Sequence, residues 1–307
     1  MLTKSFRSAT QPSASSSLVA GRTLRVVLRG LGQVMFQQNA LTGILFLAGM
    51  AVASPWLAAG AAIGAVIGPI VAATLRLPAA DIEAGIYGYN SALVGAAAIA
   101  LLPPTAITWG LAIGAAALAT PLTWIFRRQL HFPTYTAAFV IVTWGMLLTA
   151  GIMGDRPQSP SATAMTKPGW EGLADEIFAG VAEVMFSANA LSGICFLAGI
   201  AVNSWRQALV AVLGAALGTL GAMYHGDPDG AVALGIYGYN ASLAALAAYL
   251  ARPSLLPAAL AAFASVPLVE FFPTTLGVPA LTAPFIMSAW IVLAFMAIDS
   301  AFGQRTA

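Results

Sequence analysis

Two stretches of this chain say almost the same thing. Gln33-Val-Met-Phe36-Gln-Gln-Asn39-Ala-Leu41 returns as Glu183-Val-Met-Phe186-Ser-Ala-Asn189-Ala-Leu191. Gly85-Ile-Tyr87-Gly-Tyr89-Asn90-Ser-Ala-Leu93 returns as Gly235-Ile-Tyr237-Gly-Tyr239-Asn240-Ala-Ser-Leu243, both at an offset of 150 (33 to 183, 85 to 235). A third block, Pro133-Thr-Tyr-Thr136-Ala-Ala-Phe139, returns as Pro279-Ala-Leu-Thr282-Ala-Pro284-Phe285 at an offset of 146 (133 to 279). Three blocks in the same order mean two homologous halves, and such halves usually build one site between them.

Hydrophobic residues make up 59% of the chain and charged residues only 8%, with a mean hydropathy of +0.85. In soluble domains charged residues approach about a quarter, so the chain reads as an integral membrane protein. Apolar blocks run over 40–56, 57–75, 85–103, 106–126 and 134–153, then 190–203, 207–224, 231–251, 255–269 and 279–298. Most approach the roughly 20 residues a helix needs to cross a bilayer, although Gly and Pro shorten or break several. The stretches 24–36 and 177–188 are amphipathic and read as tilted or re-entrant half-helices. The fold class is therefore all-α membrane protein, with two repeats of five transmembrane helices plus one half-helix each.

With five spans, an odd number, the second half enters the membrane in the opposite sense, which predicts inverted topology. The charges agree. The first 29 residues hold Lys4, Arg7, Arg22, Arg25 and Arg29 of the 13 basic residues, which places the N-terminus in the cytoplasm. Arg127-Arg128 falls on the same side, whereas the equivalent loop, 270–278, has no basic residue and belongs outside. The expected organisation is a disordered cytoplasmic tail (1–23), a first repeat (24–153), an external linker rich in Pro, Ser and Thr (154–176), a second repeat (177–300) and a C-terminal tail (301–307). Residues 8–23 are too polar for a secretory signal core. Ten spans put both termini in the cytoplasm. A net charge of +2 gives no footing for nucleic acid, and the lone Cys195 reads as a packing residue.

Glu183 is the carboxylate that stands out within apolar surroundings, and an ionisable group in a membrane is a functional candidate by default. The duplication sets Gln33 opposite it, so both halves present a long polar side chain at equivalent positions. An amide beside a carboxyl suits a neutral solute carrying both carbonyl and NH groups better than an ion. Tyr89 with Leu93, and Tyr239 with Leu243, sit at i and i+4 on one helix face and can wall a narrow apolar slot. Phe36 and Phe186 add aromatic faces. Asn39, Asn90, Asn189 and Asn240 read as partners for backbone groups at broken helices. Thr136 and Thr282 follow helix-breaking prolines, where a hydroxyl either caps the helix or meets solute. His225-Gly-Asp227-Pro-Asp229 lies in turn-forming sequence without a His/Cys companion, so no metal site is expected. No nucleophile elbow, P-loop or dinucleotide motif stands in a supporting context, which argues against an enzyme and against a cofactor.

Taken together, the three duplicated blocks resemble the urea transporter family over about residues 30–298. Its signature, Leu-Pro-x-x-Thr-x-Pro-Phe in both halves, appears as Val278-Pro279-Ala-Leu-Thr282-Ala-Pro284-Phe285. The first copy, Phe132-Pro133-Thr-Tyr-Thr136-Ala-Ala138-Phe139, departs by Phe for the leading Leu and Ala for the second Pro. The resemblance implies an inner-membrane homotrimer, surrounded by lipid, in which each protomer passes urea passively and in single file through an aromatic slot lined by oxygens. By motif, Gln33 and Glu183 match the polar side chains bordering two binding positions, and Phe36 and Phe186 the slot aromatics. Leu93 and Leu243 match the slot-wall leucines, and Thr136 and Thr282 the central threonines. Tyr89 and Tyr239 stand where the family often has Phe, so each carries a hydroxyl that must find a partner. The alternative is a proton-coupled or broader transporter of small amides or amines using Glu183 as proton carrier. A channel for water, ammonia or glycerol and a non-transporting membrane sensor are weaker rivals.

Overall fold

The computed structural model describes residues 14–155, 172–273, 275 and 277–303. Among them there are helices and no strands. The chain runs α1 (Ala14–Gln33), α2 (Ala40–Ala53), α3 (Pro55–Thr74), α4 (Ala79–Glu83), α5 (Tyr89–Leu101), α6 (Ala106–Gln129) and α7 (Ala137–Ile152). The same series then returns as α8 (Leu173–Glu183), α9 (Ala190–Asn203), α10 (Trp205–His225), α11 (Asp229–Ala233), α12 (Ile236–Ala251), α13 (Leu255–Glu270) and α14 (Ala283–Gly303).

Polar caps decide where these apolar helices begin. Asn39 Oδ1 accepts from the backbone N–H of Leu41 at 2.8 Å, and Asn189 Oδ1 from that of Ser192 at 2.8 Å. Ser54 and Ser204 cap α3 and α10 in extended conformation, and Pro55 takes the first helical position of α3, where its missing N–H costs nothing. Each predicted apolar block thus contains one helix. By length and composition α3, α6, α10 and α14 are long and apolar enough to cross a membrane, whereas α2, α5, α7, α9 and α13 are shorter apolar helices.

Contact between the halves runs through α2 and α9. The rings of Phe46 and Phe196 stack with centroids 4.4 Å apart and planes 9° from parallel. On either side of them, Thr42 Oγ1 donates to the Gly199 carbonyl and Ser192 Oγ to the Gly49 carbonyl, each at 2.7 Å. Each of these helices in turn presses on the preceding one. A Cβ at Gly43 would collide with the Leu28 carbonyl, and one at Gly193 with the Phe178 carbonyl, so α1 packs on α2 and α8 on α9 through bare backbone.

Helix α1 begins at Ala14, inside the stretch 1–23 expected as a cytoplasmic tail. Arg22 forms an ion pair with Glu83 at the end of α4, and Arg29 Nη1 donates to the Glu83 carbonyl at 3.0 Å, which docks the helix against its neighbour. Residues 1–13, the middle of the expected linker (156–171) and 304–307 lie outside the described residues. The five-residue α4 and α11 are additional elements, too short to leave a trace in hydropathy.

Candidate functional site

Where α1 ends, the chain must turn sharply to begin α2, and the turn is made by an aromatic residue in the left-handed region. Phe36 has φ 63° and its copy Phe186, between α8 and α9, φ 58°. This is the position after a helix where glycine is usual. Gln37 N–H closes the turn on the Gly32 carbonyl at 2.9 Å, and Ser187 N–H does so on the Ala182 carbonyl at 3.3 Å. Gln37 is also wholly buried. Its amide nitrogen donates to the Met35 carbonyl and to Gln207 Oε1, both at 2.7 Å, and its oxygen accepts from Asn203 Nδ2 at 2.8 Å. The first-half turn is therefore tied to the α9–α10 junction of the second half.

The polar residues preceding these turns differ in their partners. Gln33 Nε2 donates to the Ala84 carbonyl at 2.9 Å, which leaves the amide oxygen free to accept. Glu183 is 7% exposed, and its carboxyl takes a hydrogen bond from the Ala188 backbone.

A second pair of left-handed residues precedes the threonines, Tyr135 with φ 46° and Leu281 with φ 48°. Their carbonyls answer the question the tyrosines raised. Tyr89 Oη donates to the Tyr135 carbonyl at 2.7 Å, and Tyr239 Oη to the Leu281 carbonyl at 2.5 Å. Asn90 Oδ1 accepts from the Phe139 backbone N–H at 3.2 Å and Asn240 Oδ1 from that of Phe285 at 3.0 Å. The asparagines thus satisfy the first turns of α7 and α14, as their place at helix breaks suggests.

Thr136 and Thr282 meet. Their hydroxyl oxygens lie 2.7 Å apart, and the residues are 3% and 2% exposed. Thr136 occupies the cap position of α7, but its side chain makes no capping bond, so its hydroxyl serves the contact between halves. Two indoles hold that contact crosswise. Trp144 Nε1 on α7 donates to the Pro279 carbonyl at 2.9 Å, and Trp290 Nε1 on α14 to the Pro133 carbonyl at 2.7 Å. Sequence reasoning missed both tryptophans, although they share the offset of 146 with the threonines (144 to 290).

A cavity of about 510 Å³ leads toward Thr136 from one side, lined among others by Gln33, Phe36, Tyr89, Arg127, His131 and Tyr135. Four of the ten candidate residues, Gln33, Phe36, Tyr89 and Thr136, therefore share one cavity. Leu93 and Leu243 are fully buried in the surrounding core. Glu183, Phe186, Tyr239 and Thr282 occupy the equivalent places in the second half, with Phe186 edge-on to Phe139 at 6.5 Å. Arg127, His131 and Tyr135 are cavity residues the motifs did not flag, because none is duplicated. Elsewhere, Glu270 comes 3.4 Å from His225 Nδ1, near Asp227. His225 and Glu270 are exposed, and the cluster lies on a solvated surface, where such contacts contribute little.

The comparison with known families decides the relationship, since the family described as Urea transporter matches residues 24–297. This chain belongs to the urea transporter family. Among curated relatives, it is 29% identical over 238 residues to Urea transporter 1 of Ovis aries and, equally, to that of Capra hircus. It is 28% identical over 236 residues to Urea transporter 1 of Rattus norvegicus. Each match covers 72% of this chain and 61% of the relative, so this urea transporter family member spans about three fifths of the length of the proteins it matches.

Proposed function

We propose that this protein carries urea passively across a membrane, through a path that runs from the Gln33 cavity past the Thr136–Thr282 pair to the Glu183 side. The observation that carries the reading is the hydroxyl pair at the meeting of the two halves, approached on one side by a cavity that an amide oxygen and aromatic rings line. Family membership supports urea as the solute.

Urea is flat, with N–H donors on its edges and faces that stack on rings. A path past Phe36 and Phe186 meets those faces, while Gln33, the threonine hydroxyls and Glu183 supply acceptors in succession. A donor that lost water without finding such an oxygen would cost about 1–3 kcal/mol. A permanent ion stripped of its water would cost far more, so ions are excluded. Each threonine hydroxyl has two acceptor lone pairs and one donor. The pair therefore uses one hydrogen and keeps lone pairs for the solute. In this reading the two halves are inverted repeats of five spans and a half-helix, 24–153 and 177–300. The protein is an inner-membrane homotrimer with one path per protomer and both termini in the cytoplasm.

The burial of Glu183 favours one second reading, proton-coupled transport. Stopped-flow urea flux in proteoliposomes, with and without a pH gradient, separates the two: passive transport is unmoved by dissipating the gradient, and coupled transport collapses. In the same assay Thr136→Val or Thr282→Val lowers urea flux while leaving assembly intact. Flux unchanged in both variants would remove the hydroxyls from the path.

A further inference from the structure

We infer that Tyr135 sets which planar amides pass, by narrowing the mouth on the Arg127 side to an unsubstituted urea. This rests on the urea-channel reading above. Tyr135 lines the cavity beside Thr136. Its ring stands 5.8 Å from that of Phe36, at 83°, and 5.2 Å from that of Phe285, at 52°. Phe36 and Phe285 are themselves 6.3 Å apart at 72°. Edge-on and tilted contacts of this kind are the favoured aromatic geometries, so the three rings hold one another. Phe285 is wholly buried and backs the group from the second half. Phe36 and Tyr135 are the rings that face the cavity. The backbone adds to the fixity, because Tyr135 is in the left-handed region and its carbonyl is held by Tyr89 Oη.

The other half lacks this arrangement. Leu281 stands in Tyr135's place with the same backbone conformation, and Phe186 has an aromatic neighbour only in Phe139 among the described residues. The two halves are thus built on one plan with one residue exchanged: the Tyr135 ring borders the cavity, whereas Leu281 is 5% exposed and packs in the core. For barriers in series, the tightest constriction decides discrimination by size. An N-methyl group widens the plane of urea and removes a donor, so the Tyr135 wall bears directly on it.

The test measures urea and N-methylurea permeability in proteoliposomes for the full chain and three variants. Tyr135→Leu installs the residue the second half already carries and should raise the methylurea-to-urea ratio by about tenfold, the lower range for one methyl-sized change in a packed pocket. Tyr135→Phe keeps the ring and should leave the ratio unchanged. Leu281→Tyr sets a second ring at the equivalent position and should lower the ratio further, which tests the idea should Tyr135→Leu fail to assemble. An unchanged ratio in both Tyr135→Leu and Leu281→Tyr, or a proportional fall in both permeabilities, would reduce Tyr135 to a structural prop. Wild-type protein that passes no urea above the liposome background would overturn the transport reading, and this inference with it. Urea flux with unaltered ratios overturns the role of Tyr135 alone.

Discussion

The second tyrosine of each duplicated Gly-Ile-Tyr-Gly-Tyr-Asn block, Tyr89 and Tyr239, uses its hydroxyl to hold the carbonyl just before a central threonine. Those carbonyls belong to residues in the left-handed conformation, which is unfavourable for side chains with a Cβ by about 1–2 kcal/mol. The tyrosines offset part of that strain. Tyr239→Phe, at a residue only 8% exposed, would leave the Leu281 carbonyl with Asn240 Nδ2 at 3.3 Å as its remaining donor, and should cost about 1 kcal/mol of stability in detergent unfolding. Tyr89 borders the cavity, where water can take over its hydrogen bond, so Tyr89→Phe should cost less. Equal losses would show that the two carbonyls have the same access to water. The hydroxyl was legible in the sequence as a group needing a partner. The partner was not, because a carbonyl acceptor has no residue type and is fixed only by the turn geometry at 135 and 281.

Among elements, α8 shows how sequence signals divide between what hydropathy records and what contact decides. Its end at Glu183 and the start of α9 after Asn189 follow from the duplicated motif and its cap. The environment of its first turn does not. There Glu176, outside the spanning helices and next to the connector, has its carboxyl held above the usual range, first by burial and then by the negative charges of Asp229 and Asp175. A carboxyl whose pKa is higher folded than unfolded stabilises the fold below its unfolded value and loses that contribution as pH rises through the folded one. Glu176→Gln should therefore raise the melting temperature at pH 7 and leave it nearly unchanged at pH 4. A gain of the same size at both values would mean that the repulsion is not what Gln relieves. Asp229 sits on α11, one of the two short helices that hydropathy missed, so this charge environment was out of reach of the sequence. The ten longer apolar helices were legible for the opposite reason: each fills an apolar block, and Asn39, Ser54 with Pro55, Asn189 and Ser204 mark the starts of α2, α3, α9 and α10 as strong local signals.

For the whole molecule, the joint between halves rests on the Phe46–Phe196 stack and on the two crossed indole bonds. Trp144→Phe and Trp290→Phe each remove one crossed bond, worth about 1 kcal/mol. Both bonds position the same threonine pair, so the double variant should depart from additivity by at least about 0.5 kcal/mol. A cycle of unfolding measurements that closes additively would mean that the two straps act independently. That the chain has two copies of one plan was readable from the duplicated blocks, and the threonines that meet were among the residues named. What fastens them had to be seen, since a pair of tryptophans outside any motif looks like ordinary packing. The crossing has a consequence for inheritance. A substitution acquired at Trp144 is felt at Pro279 and so in the setting of Thr282, while one at Trp290 is felt beside Thr136. The two copies are freer to diverge at side chains such as Tyr135 and Leu281, which among the described residues make no side-chain hydrogen bond across the joint, but at the fastened positions each copy holds the other to the original pattern.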